Sequence, residues 1–325
     1  MSNPYAQSVE YARFGPWIDA VAHHDDVPRL FRDHPVDLAA ARLVLKVPRN
    51  IPRRDATPDM DLYDHLLVVD DAGLTVLSRD GHDADRRRPA PPRGFTADRI
   101  ALADIVALED SVNLLRGRYR IHTRDGGGVG FAFSGSARAS LALLTDALRA
   151  TFPTRDDARP AGPAGLALAA ATAGLTADLR PLDAAGDLAL TADIRDVVAA
   201  RPTVAAWACH PRRVLAPTGD GPRGLVRRIG HAWSPMVLQG AIVAGDGAAL
   251  EILGRHEPLT RGNAPVHSAS RLTMALSRLD AIAMTDLAGY AGADVATLTA
   301  GGWHARLPVP HGSSTLELLA AARPR

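Results

Sequence analysis

"LTVLSR" (residues 74–79) decides how this chain is read, because "LEILGR" (250–255) repeats its pattern 176 residues further on. Each phrase closes a pair of apolar runs set around a turn. The first pair is "LLVVDDAGLTVLSR" (66–79), in which Gly73 can supply the positive φ of a β-hairpin turn. The second is "AIVAGDGAALEILGR" (241–255), turned at Gly245-Asp246-Gly247. The shared Leu and Val/Ile positions point to packing. Arg79 and Arg255 are the polar match, either a repeated surface contact or a structural ion pair.

The likeness continues in order along both halves. "LADIVALED" (102–110) answers to "LDAIAMTD" (279–286) at an interval of 177. "RYRIHTRDGGGVGFAF" and "ADVATLTAGGWHARLPV" are further hairpins, with Phe131 and Phe133 matching Leu307 and Val309 in the alternation of a half-buried strand. Each half then closes with a helix. After Ser136, a candidate N-cap, Leu141, Leu144, Leu148 and Phe152 form one stripe; after Ser313 or Ser314, Leu316 and Leu319 begin another. Upstream, Val27 aligns with Ile194 and Pro35 with Pro202 at an interval of 167. Five matches in one order indicate duplication, with units at 1–152 and 176–325 and a linker at 153–175.

A chain of 325 residues has the length for two domains, and 46% hydrophobic with 22% charged residues is a globular composition. A net charge of +1 gives no global field for nucleic acid or acidic membrane, so an electrostatic partner must be met locally. Lys46 is the only lysine; the basic side is arginine. The single cysteine, Cys209, excludes an intramolecular disulfide, fits a reducing compartment and reads as a small apolar filler. The N-terminus shows no basic segment followed by an apolar core, so no signal peptide is expected. "AGPAGLALAAATAGLTA" (161–177) reads as a linker leading into a helix and not as a membrane span.

The patterns "DHLLVVDDAGLTVLSR", "DIVALEDSVNLLRGRYRIHTRDGGGVGFAFSGS" and "SARASLALLTDALRA", with weaker counterparts in the second half, resemble bacterial pleckstrin-homology-like (PH-like) domains over residues 40–152 and 210–323. The chain as a whole is similar to an uncharacterised family of high-GC bacteria. The resemblance implies α+β units, mainly antiparallel β: two tandem PH-like barrels, each closed by a C-terminal helix. It also implies binding modules for lipid headgroups, peptides or proteins, seldom enzymes. Phosphoinositide-binding members carry basic residues after the first strand, which here points to "KVPRNIPRR" (46–54) and "RRVLAPTGDGPRGLVRR" (212–228).

The candidate anion- or partner-binding residues are therefore Arg49, Arg53, Arg54, Arg79, Arg86, Arg87, Arg88, Arg227, Arg228 and Arg255. Other clusters carry less. "HHDD" (23–26) holds metal-ligand types, but adjacent residues do not readily converge on one ion, and Asp25 or Asp26 is expected to cap the following helix. "DMDLYDH" (59–65) lacks the glycine and the glutamate of a calcium loop. "GGGVG" (126–130) lies between strands, not between a strand and a helix, so it reads as a hairpin turn. "DRRRPAPPRG" (85–94) has no interleaved aromatics for base stacking. Ser134, Ser136 and Ser314 stand in no nucleophile elbow, and His122 and His304 read as sheet or rim residues.

The expectation is a cytoplasmic, non-enzymatic scaffold or adaptor for a protein or peptide partner, with no catalytic or metal residues, no cofactor and no nucleic acid. Peripheral binding to anionic lipid through the arginine loops is the first alternative. A hydrolase using serine and histidine residues of the second unit is the other.

Overall fold

The computed structural model describes residues 4–81, 94–154, 161–218, 230, 231, 233–262 and 267–323. It is mainly antiparallel β-sheet with a few helices. The chain forms two compact units. Unit 1 comprises Met1–Ile105, Leu115–Tyr119 and Gly130–Thr151; unit 2 comprises Val106–Leu114, Arg120–Val129 and Phe152–Arg325.

Unit 1 begins with α1 (Pro4–Arg13) and is built on a meander of β1 (Asp19–Ala20), β2 (Leu43–Pro48), β3 (Tyr63–Val69), β4 (Gly73–Arg79) and β5 (Phe95–Ala101). Strands β3 and β4 are buried along nearly their whole length, so both faces of the sheet are covered. Leu66, Val68 and Leu77 pack with Phe14, Val27 and Phe31 on one side. The stripe predicted for α2 (Arg138–Arg149) is real: Leu141, Leu144, Leu148 and the following Phe152 are all buried. Ser136 does not cap α2. It sits in a 3-10 turn (Gly135–Ala137) and bonds Ser134, while Ala137 holds the cap position. Nor does Asp25 or Asp26 cap a helix; 23–31 forms two short 3-10 turns, and Asp26 pairs with Arg13 at 2.8 Å.

Asp70 turns the β3–β4 hairpin by accepting the amides of Ala72 and Gly73 on Oδ1, each at 2.8 Å. Gly73 itself opens β4 without a positive φ. In unit 2, β13 (Ala241–Gly245) and β14 (Ala249–Gly254) are turned the same way, by Asp246 accepting from Ala248 and Ala249 at 2.9 and 3.0 Å. Asp70 and Asp246 stand at the 176-residue interval of the opening phrases. An acceptor two and three residues ahead of its donors is an Asx turn, which substitutes for glycine geometry.

Each half of the chain runs through four meandering strands, a 3-10 turn, three more strands and a helix. In the second half these are β9 (Ala205–His210), β13, β14 and β16 (Ser268–Ala275), then β17 (Ala281–Asp286), β19 (Ala293–Ala300) and β20 (Trp303–Pro310), then α6 (Ser314–Ala321). Five short strands are inserted among them: β10 (Arg213–Val214), β11 (Ala216–Pro217), β12 (Met236–Leu238), β15 (Leu259–Arg261) and β18 (Tyr290–Ala291). The strands β5 and β16 were not read from sequence. The 3-10 turns that follow them, Leu102–Asp104 and Leu276–Arg278, stand 174 residues apart, not 177. Phe131, Phe133, Leu307 and Val309 are buried as the alternation required. Ser313 caps α6 by accepting from the Leu316 amide at 3.2 Å.

Among the described residues no sheet closes into the expected barrel. The reason in unit 2 is local: the free edge of β16 is taken by β6 (Ile105–Asn113), in register from Ser268↔Asn113 to Met274↔Ala107. With that edge paired, β16 does not turn back onto β17. Strands β7 (Arg116–Thr123) and β8 (Gly128–Ser134) follow β6, giving the order β8-β7-β6-β16-β14-β13-β9. The units therefore divide the chain differently from the expected 1–152 and 176–325.

The segment expected as a linker, 153–175, carries α3 (Pro163–Ala171), which docks in unit 2 before α4 (Arg180–Ala184) and α5 (Leu188–Ala200). Ala164 and Leu168 enter a core with Leu276, Leu279, Leu318 and Leu319. The approach is main chain to main chain, with Gly162 N donating to Ser277 O at 2.7 Å and Gly165 N to Leu279 O at 2.9 Å. A Cβ on Gly165 would lie 2.0 Å from Leu276 O. Gly165→Ala is therefore expected to cost about 1–3 kcal/mol in urea unfolding of unit 2, as overpacking does. Gly247→Ala, where a Cβ meets nothing within 4 Å, is expected to leave the midpoint unchanged.

Candidate functional site

The arginines singled out from sequence do not assemble one site. Arg53 donates to the carbonyls of Tyr11 and Phe14 and stacks 4.1 Å from the Tyr11 ring centroid. Arg49 donates to Asp61 O at 3.3 Å. Arg54 projects into solvent beside Asp55 at 3.6 Å. Lys46 is buried, with Nζ on Asp26 O at 3.2 Å, so "KVPRNIPRR" presents only part of its charge. Arg86, Arg87, Arg88, Arg227 and Arg228 lie outside the described residues. Arg79 and Arg255 are structural ion pairs: Arg79 meets Asp64 within unit 1 at 2.7 Å, and Arg255 meets Asp187 within unit 2 at 3.5 Å while donating to Ser268 O at 2.8 Å. Asp61 and Asp64 of the calcium-like stretch face Arg29 and Arg79, and no metal-binding cluster of three acids, histidines or cysteines occurs among the described residues.

Two of the concavities formed by the described residues lie within unit 2. The larger, about 690 Å³, is a groove between the end of α3, the 175–178 segment, β9 and the start of α6. Leu175, Trp207, Pro310 and Leu318 give it an apolar lining; Arg212 and Arg213 stand at its edge. The outer edge of β9, where an added strand would pair, is already met. Ala177 N donates to Ala206 O at 2.8 Å, and the Ser314 hydroxyl accepts from Cys209 N at 3.2 Å and donates to Cys209 O at 2.9 Å. Cys209 is buried, its Sγ donating to Asp178 O at 3.3 Å. Burial pushes its thiol pKa up, with the Asp178 charge acting the same way, which keeps it protonated and poorly nucleophilic.

The smaller concavity, about 300 Å³, is a cleft between β14–β16 and β19–β20. Its floor is apolar, from Ile252, Leu272, Leu298 and Trp303. Its charged lining is four arginines, Arg120, Arg255, Arg271 and Arg306, against one carboxylate, Glu109. His122 lies tilted against Trp303, centroids 5.2 Å apart, and 3.1 Å from Glu109 Oε2. That bond holds the Glu109 carboxyl below its ordinary pKa, despite partial burial. Arg271 reaches behind the cleft to Glu251, which is wholly buried in β14. At the bottom lies His210, its Nδ1 3.1 Å from Thr315 Oγ1. Its Nε2 is buried without a hydrogen bond of good geometry, although the Gln239 main chain favours the protonated form slightly.

Sequence reasoning passed over this cleft. His122 and His304 read as rim residues, and His210 was not singled out. One signal was present: Glu251 is a lone acid inside the apolar run "ALEILG", a position where burial demands a cation.

Compared with known protein families, curated proteins and solved structures, the chain matches none. Function must be argued from the site.

For the hydrolase reading, no serine hydroxyl of unit 2 bonds an imidazole among the described residues. The contact His65 Nδ1 to Ser78 Oγ, 3.0 Å, is a buried cross-strand pair of unit 1. A nucleophile there has no access to substrate.

Burial drives the His210 pKa down from 6.5 to about 4. The unfolded chain thus binds a proton at this site below its ordinary value, while the folded chain does not until about 4. Protons favour unfolding through that window, so stability is lost as pH falls from 6.5 to about 4, by ~3 kcal/mol in all. Glu109, lowered, keeps its charge through the upper part of the same window. In urea titrations followed by tryptophan fluorescence, the stability of wild type minus that of His210→Phe is expected to fall by about 3 kcal/mol as pH drops across this range.

Proposed function

We propose that the chain is a non-enzymatic binding module made of two tandem PH-like repeats with open sheets, acting as an adaptor that seats a peptide segment of a partner protein in the groove beside β9. The observation that carries this reading is the groove of about 690 Å³, with an apolar lining and a cationic edge. Because Ala177 and Ser314 already cover the β9 edge, recognition works by inserting side chains and not by strand addition. The fitting segment carries an apolar anchor for the Leu175–Trp207 surface and an acidic residue for Arg212, whose guanidinium has no side-chain partner among the described residues. The PH-like reading is supported by the twice-repeated order of four strands, 3-10 turn, three strands and helix.

Anionic-lipid binding finds less support, since Arg49, Arg53 and Arg79 are engaged internally and only Arg54 among them projects freely. No helix among the described residues is long and apolar enough to cross a membrane.

Selection of displayed random peptides on the full chain is the direct test. Enriched peptides should combine an aromatic or leucine anchor with a nearby Asp or Glu, and Leu175→Glu with Arg212→Glu should weaken them at least tenfold without moving the unfolding midpoint. Peptides insensitive to both changes, or arginine-dependent flotation with anionic vesicles in place of peptide binding, would overturn the proposal.

A further inference from the structure

The cleft between β14–β16 and β19–β20 is separate from the peptide groove and unlike it in chemistry. Its floor is hydrocarbon and indole, which disfavours a bare, strongly hydrated anion. Its charged lining is cationic by four arginines to one carboxylate. Two of those arginines are matched from behind, Arg255 by Asp187 and Arg271 by Glu251. Arg120 stands 3.9 Å from Glu109, and Arg306, an exposed residue of the otherwise largely buried β20, faces solvent at the mouth.

Two further observations indicate a space kept for a guest. His210 presents a buried Nε2 with no well-formed hydrogen bond in the lining of the cleft. In the tautomer in which the Thr315 hydroxyl donates to Nδ1, that Nε2 bears the ring proton and can donate to an oxygen in the cleft. Gly254 also lines the space. It lies two residues beyond Ile252 on β14, hence on the same face, and a Cβ there would meet only ordinary contacts at 3.7–3.9 Å. A side chain at this position would occupy the cleft, and the chain leaves it empty.

We propose that this cleft is a second binding site, taking a small amphiphilic anion: a carboxylate or phosphate carried on a compact apolar body. The apolar body rests on Ile252, Leu298 and Trp303, and the anionic head is held by arginine at the mouth or by His210 at the base. A volume of about 300 Å³ is at the small end for ligand sites, so the guest is a short acyl or aryl acid and not a diacyl lipid.

The test is calorimetric titration of the full chain with octanoate, octyl phosphate, octanol and inorganic phosphate, alongside phosphatidylglycerol vesicles. Octanoate or octyl phosphate should bind at least tenfold more tightly than octanol or phosphate, and which of the two binds better identifies the head group. Vesicles should not compete. In imidazole NMR spectra the His210 Nε2 resonance should move on addition of the better ligand. Gly254→Val should abolish binding while leaving the groove's peptides bound, which separates this site from the adaptor reading. Should Gly254→Val destabilise unit 2 in urea, Arg306→Gln and His210→Phe serve instead, and one of the two, according to which group holds the head, should weaken binding about fivefold. Equal binding of octanol, binding only to vesicles, no binding of either amphiphile, or affinities indifferent to the variants would each overturn the proposal.

Discussion

Unit 2 depends on the pairing of β6 with β16. Seven residue pairs, from Ser268↔Asn113 to Met274↔Ala107, place a strand of the first half of the sequence at the edge of a sheet from the second. An unpaired β16 would present a row of bare amides and carbonyls, which is costly in a core and hazardous at a surface. The pairing satisfies them and prevents β16 from turning toward β17. It also brings Glu109 and, through β7, Arg120 and His122 to the cleft, so the charged lining draws on both halves. One sheet is thus assembled from strands of both halves of the sequence.

Close main-chain contact is the second constraint within unit 2. The turn between β7 and β8 lies against the turn between β19 and β20: Gly302 N donates to Arg124 O at 2.7 Å, and a Cβ on Gly301 would lie 2.3 Å from that carbonyl. Gly301 also takes a positive φ of 60°. Arg124 and Asp280 close the corner as an ion pair at 3.1 Å, and Asp280 accepts from Gly301 N at 2.7 Å. "GGGVG" and "GG" are accordingly glycine-rich for approach as well as for turning, a reason that lies in the partner turn and not in either stretch alone.

The legible parts of the sequence were those governed by local periodicity. The alternation of Phe131 and Phe133, the stripe of Leu141, Leu144 and Leu148, and the Ser313 cap follow from spacing along one element, and each was found where expected. The Asp70 and Asp246 turns stand in the sequence as repeated letters, but a glycine near each offers the same turn, and spacing alone does not distinguish it from the carboxylate that does the turning. Illegible were the features set by remote neighbours: the β6–β16 edge, the docking of α3 onto 276–279, and a cleft whose residues come from positions 109 to 308. Arg79 and Arg255 show the difference well. Their match in sequence is real, yet one finds its carboxylate on the adjacent strand and the other on the segment before α5.

The β6–β16 edge also sets a schedule for the growing chain. Asn113 leaves the ribosome 155 residues before its partner Ser268, an interval of about 10–30 s at ordinary elongation rates. Over that time β6 has the hydrogen-bonding groups of an edge strand and no native partner for them. The contact is one of high sequence separation, slow to close and open to substitution by another chain's strand meanwhile. Crowded polysomes, where many copies hold β6 at the same stage, are therefore where this architecture is most exposed to misassembly.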